Sequence, residues 1–160
     1  PGSGSYRPGD VFKTYSGKTV EVYSTDAEGR NVLADGLWKA AEFDPEYIVD
    51  LATLTGAVVV ALGNQITGMW SNDELLAERL ERSAHACGEP MWRMPLNDQF
   101  RRYMTDTPFA DIRNGSSGGR AGSSNGAAAF LHGATWSDGI CHDCHICTIS
   151  INRSCSNGAQ

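Results

Sequence analysis

The sequence predicts an α/β fold in which a mixed β-sheet is flanked by helices on both faces. Strand-like and helix-like runs alternate from Lys18 to Cys87, which is the rhythm of this class. With 160 residues, 41% of them hydrophobic, the chain can bury the core of one globular domain. A charged segment, residues 24–30, lies between a strand-like and a helix-like run, where open α/β sheets place their ligand sites.

The first elements follow from the spacing of apolar residues. Residues 18–23 alternate and are rich in β-branched and aromatic side chains, so they predict a strand. Residues 32–41 carry apolar side chains at helical spacing and predict a helix. A short apolar strand is predicted at 47–51, whereas 57–62 fits either a buried strand or a short buried helix.

The later elements are a strand at 65–71, a helix at 74–87 and a short apolar segment at 91–96. The helix has an N-cap at Asn72 or Asp73 and a C-terminal glycine, Gly88. Its amphipathic pattern predicts that five side chains point inward: Leu75, Leu76, Leu80, Ala84 and Cys87.

The charged segment contains Asp26, Glu28 and Arg30, which an extended backbone would place on one face. Two interpretations of this cluster stay open from the spacing alone. It is either a solvated turn in which an acid pairs with Arg30, or a site where carboxylates bind cations and the guanidinium holds an anion.

Composition excludes several classes of function. A formal net charge of −6 does not support nucleic-acid binding, and the pair Arg101 and Arg102 is too small to form such a surface. The Gly/Ser-rich stretch 115–126 lacks the ending of a phosphate-binding loop. No apolar run is long enough to cross a membrane, and the first residues do not form a signal peptide. We therefore expect a cytoplasmic protein without membrane contact.

Several segments together resemble the leucyl aminopeptidase family of hexameric, dinuclear metallopeptidases. They are residues 5–11, 17–22, 25–30 and 32–37, then Asp50-Leu51-Ala52-Thr53-Leu54-Thr55-Gly56-Ala57, then Phe109-Ala110-Asp111-Ile112-Arg113-Asn114. The resemblance extends from about residue 3 to about residue 131. It implies that 1–131 is part of an aminopeptidase catalytic domain.

The resemblance implies a role for each member of the charged segment. Asp26 and Glu28 would be ligands of two divalent metal ions, for which manganese, zinc and magnesium are equally suitable. Those ions would polarise the scissile carbonyl and a bridging water. Arg30 would be a catalytic residue that anchors a bicarbonate-like anion, which relays a proton. The reaction would release N-terminal amino acids, with leucine-like residues preferred, from peptide substrates.

The resemblance also implies a substrate-binding loop made of Thr53, Leu54, Thr55 and Gly56, which would grip the peptide backbone. An ordinary turn capped by threonine hydroxyls is the alternative from the residues alone. By analogy with the family, 57–62 is expected to be a helix and 127–131 to lie in a helix beside the substrate pocket. The intact protein would be a homo-hexamer.

The chain opens on Pro1 rather than methionine, so we expect it to begin within a longer polypeptide. The lysines and further aspartates that complete the family's site have no counterpart here. A non-catalytic homologue or assembly module is therefore the alternative to a partial aminopeptidase.

Residues 132–160 form a Cys-rich tail that departs from the family pattern. Four of the five cysteines lie at or after Cys141. One interpretation is a zinc or iron site that uses Cys141, Cys144 and Cys147 with His142 or His145. The favoured interpretation is a sequence foreign to the family, such as an out-of-frame translation, that is largely disordered.

Overall fold

The computed structural model describes residues 2–115, 121–135 and 145–150. Within them the chain forms seven strands, five helices and a 3₁₀ turn, Thr25–Ala27. The strands are β1 (Val11–Lys13), β2 (Thr19–Glu21), β3 (Tyr47–Ala52), β4 (Thr67–Ser71), β5 (Met91–Arg93), β6 (Ile112–Arg113) and β7 (His145–Ser150). The helices are α1 (Glu28–Ala41), α2 (Ala57–Leu62), α3 (Glu74–Ala86), α4 (Asp98–Thr105) and α5 (Ser123–Thr135).

The strands form two sheets, and the predicted α/β class with mixed pairing is confirmed. The larger sheet has the order β3-β7-β4-β5, with β7 parallel to β3 and antiparallel to β4. The smaller sheet has the order β1-β2-β6, with β2 antiparallel to β1 and parallel to β6. The sequence did not indicate that β2 lies in a sheet separate from β3.

Helices cover both faces of the larger sheet, because successive residues of a strand point to opposite sides. Met69 of β4 packs with Leu76 and Ala77 of α3 on one face. The next residue, Trp70, packs with Val58 of α2 and with α5 on the other face.

The main core joins the two sheets through α1 and α5. Val20 of β2 and Ile112 of β6 share a buried cluster with Ile48 of β3 and Leu131 of α5. Helix α1 contributes its alanines and Leu37 to the same cluster. The middle and the C-terminal end of α1 are therefore packed in the core shared by the two sheets.

Residues 57–62 are the helix α2, as expected. Helix α3 begins where predicted, because the Asp73 side chain accepts a hydrogen bond from the Leu76 N–H at 2.5 Å. The inward orientation predicted for Leu75 and Cys87 is wrong: Leu75 is 47% exposed and Cys87 is exposed. Leu76 lies on the inward stripe of this helix, and Leu75 lies about 100° around the axis from it.

Helix α5 continues past Leu131 to Thr135, and β7 pairs with both β3 and β4 inside the larger sheet. The side chains of the hypothetical zinc or iron site, Cys141, His142, Cys144, His145 and Cys147, lie outside what the structure describes. The origin of 132–160 stays a prediction. In the described part of the chain, no helix is long and apolar enough to cross a membrane.

Candidate functional site

The charged segment forms the entrance of a helix rather than an extended strand end. Residues Thr25–Ala27 make the 3₁₀ turn, and α1 begins directly at Glu28. Residues two apart in a helix point about 200° apart, so Glu28 is exposed while Arg30 is buried. The common face predicted for Asp26, Glu28 and Arg30 is therefore wrong. Among the described residues, no ion pair joins these three side chains.

The carboxylates of Asp26 and Glu28 stand in the first turns of the two helical pieces and are exposed. Negative charge at a helix N-terminus is favourable, because the backbone N–H groups there carry partial positive charge. This preference explains why the segment becomes helical despite its alternating pattern. In the part of the chain that is described, no cluster of three acidic, His or Cys side chains is placed to hold a metal ion. A metal ion held by Asp26 and Glu28 would therefore need further ligands from outside the described residues.

Arg30 has only 8% of its surface exposed, and its Nε is buried without a hydrogen-bond partner among the described residues. Burial lowers the pKa of its guanidinium to about 10, because the charged form loses water. A buried cation with an unused donor is a receptor for an anion, since a charge-assisted hydrogen bond would satisfy both the charge and the donor.

The 53–56 loop connects β3 to α2 and touches the start of α1. A Cβ added at Gly29 would lie 3.3 Å from Leu54 Cδ1, so the helix and the loop are in close contact. Leu54 in turn packs against the main core. The structure thus brings the loop next to the turn that carries Glu28 and Arg30.

Gly56 has ordinary helical backbone angles, φ −64° and ψ −14°. A Cβ added there would meet no atom within 4 Å. Neither backbone strain nor packing inside the described fold therefore requires a glycine at this position. Open space over Gly56 suits the approach of another main chain.

Two buried titratable side chains were not singled out from the sequence. Desolvation raises the pKa of Asp50 to about 6, although the Thr148 hydroxyl donates to its Oδ2 at 2.7 Å and opposes the shift. Desolvation lowers the pKa of His132 to about 4. Asp50 shares a strand face with Ile48, and this i, i+2 spacing was the available signal that its carboxylate is buried.

Asn114 is the last residue of a family-like segment, and the sequence did not indicate its role. Its side chain makes hydrogen bonds to the backbone that leads into the charged segment. Its side chain makes three hydrogen bonds to Tyr23 and Ser24, about 90 residues earlier in the chain. No local pattern could have predicted these contacts, because they depend on the pairing of β2 with β6.

Curated relatives match most of this chain over a small part of their own length. Two probable cytosol aminopeptidases, from Chelativorans sp. (strain BNC1) and Afipia carboxidovorans, are 50% and 51% identical over 132 residues. Each match covers 82% of this chain and 26% of the relative. The chain therefore spans about a quarter of the length of these relatives.

Solved structures show the same fold. The cytosol aminopeptidase from Coxiella burnetii matches with a TM-score of 0.83 and 37% identity, over 94% of this chain and 31% of that one. A K354E mutant of tomato leucine aminopeptidase matches with a TM-score of 0.86 and 36% identity, over 95% of this chain and 29% of that one.

These likenesses place the chain among the α/β metallo-aminopeptidases. The family described as the cytosol aminopeptidase family, catalytic domain, matches residues 1–152, so the chain belongs to it and represents part of that domain.

Proposed function

We propose that this chain supplies the carboxylate, arginine and substrate-loop portion of an aminopeptidase that releases N-terminal, leucine-like amino acids from peptides. The observation that carries the proposal is Arg30, a buried cation with an unused donor. It lies in the first turn of α1 with the exposed carboxylate of Glu28, and Asp26 lies in the preceding 3₁₀ turn. The 53–56 loop contacts the same turn.

Asp26 and Glu28 would hold the two divalent ions, together with ligands from outside this chain. Their exposed carboxylates are oxygen donors, which suit manganese, magnesium and zinc. When bound, such ions polarise a scissile carbonyl as Lewis acids. Both side chains are exposed, so their carboxylates are directed away from the core.

Arg30 would hold a bicarbonate-like anion through its guanidinium. Because the group is buried and α1 packs on the core, its direction is fixed before the anion arrives. A planar guanidinium also matches the two oxygens of a carboxylate or bicarbonate. An anion held there could accept and return a proton close to the metal ligands.

Thr53, Leu54, Thr55 and Gly56 would position the peptide. Leu54 is anchored in the core, so the loop backbone is held at a fixed distance from α1. The open space at Gly56 would admit the substrate main chain, and backbone groups of a loop can bind a peptide without regard to its side chains.

The intact protein would be a cytoplasmic homo-hexamer whose catalytic part includes 1–131. Large apolar side chains on the surface, Val32, Phe43 and Val60, are 72%, 78% and 86% exposed. A contact with further protein surface would cover these side chains.

A chimera tests the proposed function. Residues 2–131 would replace the matching segment of the Coxiella burnetii enzyme, which would supply the rest of the domain. We expect manganese-dependent hydrolysis of leucine p-nitroanilide, and a loss of at least about a hundredfold in kcat/KM in Asp26→Asn and Glu28→Gln variants.

Glu78→Gln, an exposed position on α3, is the matched control and should keep the activity of the chimera. Folding of each chimera would be checked by circular dichroism. A folded chimera without activity, or one whose activity survives loss of Asp26 and Glu28, would contradict the proposal.

A further inference from the structure

We propose that Asn114 is a positioning residue: its side chain fixes the backbone of Ser24 and thereby the direction in which Asp26 presents its carboxylate. The inference rests on the proposed function, since it assigns Asn114 to the metal-binding role of Asp26. Asn114 itself is completely buried and is not expected to touch metal or substrate.

The side chain of Asn114 makes hydrogen bonds to backbone groups of three successive peptide units. Its Oδ1 accepts hydrogen bonds from the N–H groups of Tyr23 at 2.9 Å and Ser24 at 3.0 Å. Its Nδ2 donates to the Ser24 carbonyl oxygen at 2.9 Å. Three bonds from one rigid amide fix both the position and the rotation of this backbone.

These bonds begin where the sheet ends. The parallel ladder pairs Val20 with Ile112 and Glu21 with Arg113, and the Asn114 N–H donates to the Glu21 carbonyl at 3.0 Å. Beyond that point, the Asn114 side chain takes the place of a partner strand. Ser24 itself gives no side-chain cap to the 3₁₀ turn, so Asn114 is the feature that defines its entry.

The residues on both sides of Asn114, Arg113 and Gly115, pack closely against Tyr23. The Arg113 guanidinium lies 5.1 Å from the centre of the Tyr23 ring, and its Nε donates to the Tyr103 carbonyl at 3.0 Å. A Cβ added at Gly115 would come within 2.8 Å of Tyr23 Cδ1. Because residues on both sides of Asn114 pack against Tyr23, the amide has little freedom to move away from the backbone it binds.

Loss of the Asn114 hydrogen bonds would change the orientation of Asp26, which follows Ser24 by two residues. Without Asn114, the N–H groups of Tyr23 and Ser24 lose their acceptor, the Ser24 carbonyl keeps only the Ala27 N–H, and the extended backbone of Ser24 (φ −132°, ψ 128°) is held by fewer bonds. Asp26 would then sample several directions, and cation affinity would fall. Loss of outer partners of metal ligands commonly lowers affinity by about tenfold or more.

The test uses the 160-residue chain, with Mn²⁺ as the probe and NMR as the readout. Paramagnetic broadening of the Asp26 and Glu28 amide signals reports binding at this site. In Asn114→Leu, which keeps the side-chain size but removes all three bonds, we expect the Mn²⁺ concentration for half-broadening to rise by about tenfold.

Thr19→Val is the matched control, because it acts on the same strand pair at its other end. The Thr19 hydroxyl donates to Asp111 Oδ2 at 2.7 Å and accepts from the Asp111 N–H at 3.0 Å. This variant loses two hydrogen bonds but should leave the Mn²⁺ midpoint unchanged. An equal shift in both variants would show that general loosening of the sheet, not the Asn114 clamp, sets the affinity.

Hydrogen exchange of the unmodified chain gives a second measurement that needs no variant. The amides of Tyr23 and Ser24 should exchange as slowly as those of β2, and fast exchange would overturn the inference. If Mn²⁺ binds the unmodified chain at Asp26 and Glu28 but Asn114→Leu binds it equally, only the Asn114 inference fails. If Mn²⁺ does not bind the unmodified chain there, the Asn114 inference fails, whereas the proposed function is judged by the chimera, which supplies the remaining ligands.

Discussion

Replacing Asp50 by asparagine removes a carboxyl group that the fold keeps away from water. Asp50 is 7% exposed, and its Oδ1 has no hydrogen-bond partner among the described residues. Desolvation raises its folded-state pKa from 3.8 to about 6. Asparagine keeps the shape and the acceptor for the Thr148 hydroxyl, so the variant tests the charge alone.

The sign of the effect follows from proton linkage. Between about pH 4 and about pH 6 the folded chain retains the Asp50 proton that the unfolded chain has released, so this group makes the folded state less stable as pH rises. A shift of about two pKa units corresponds to about 3 kcal/mol. The free energy of unfolding of Asp50→Asn, minus that of the unmodified chain, should therefore increase by up to about 3 kcal/mol between pH 4 and pH 7.

His132 changes the free energy of unfolding with pH in the opposite direction to Asp50, so it affects the comparison of the two chains. Its pKa is lowered from 6.5 to about 4, so its contribution to stability rises with pH across nearly the same window. The two effects largely offset each other in the unmodified chain. In Asp50→Asn, the effect of His132 is no longer offset by Asp50, so the free energy of unfolding should increase steeply with pH.

Urea unfolding followed by tryptophan fluorescence measures both profiles, because Trp38 and Trp70 are buried. Asp44→Asn, an exposed change of the same charge, is the control and should follow the pH profile of the unmodified chain. A constant difference between Asp50→Asn and the unmodified chain from pH 4 to pH 7 would refute the reasoning.

Three further variants test other contacts. Trp70→Phe removes the Nε1 hydrogen bond to Asn125 Oδ1 at 2.9 Å and leaves a buried acceptor without a partner. The free energy of unfolding, measured in urea, should therefore fall by about 1–3 kcal/mol. Trp92→Phe is the control, because the Trp92 side chain is 61% exposed, and it should change this free energy little. Asp73→Ala removes the cap of α3 and should cost about 1 kcal/mol in thermal unfolding; an unchanged melting temperature would exclude this role. Gly29→Ala should displace Leu54, seen as shifted Leu54 methyl signals, while Gly36→Ala on the same helix has open space and should leave those signals in place.

The elements with strong local patterns could be predicted from the sequence. The amphipathic spacing of 74–87 and its capping residue placed α3 correctly, since both signals are local. The outward side chains of Leu75 and Cys87 were not predicted, because the pattern does not say which apolar residues the sheet covers. The division into two sheets was also hidden, since strand pairing depends on contacts distant in sequence.

The geometry of the candidate site was not predicted from the sequence. The alternation of Asp26, Glu28 and Arg30 with small residues suggested an extended backbone, but the charges favoured the start of a helix. Burial of Arg30 follows from the packing of α1 and cannot be read from neighbouring residues. The sequence did not predict a role for Asn114 at the site, because its hydrogen-bond partners lie about 90 positions earlier in the chain.

The most direct test of the central claim is a crystal structure of the chimera grown with Mn²⁺ and examined by anomalous scattering at the manganese edge. The account predicts anomalous peaks coordinated directly by the carboxylates of Asp26 and Glu28, with separate density for an anion against the Arg30 guanidinium. Manganese bound only by residues outside this chain, with both carboxylates in solvent, would contradict it.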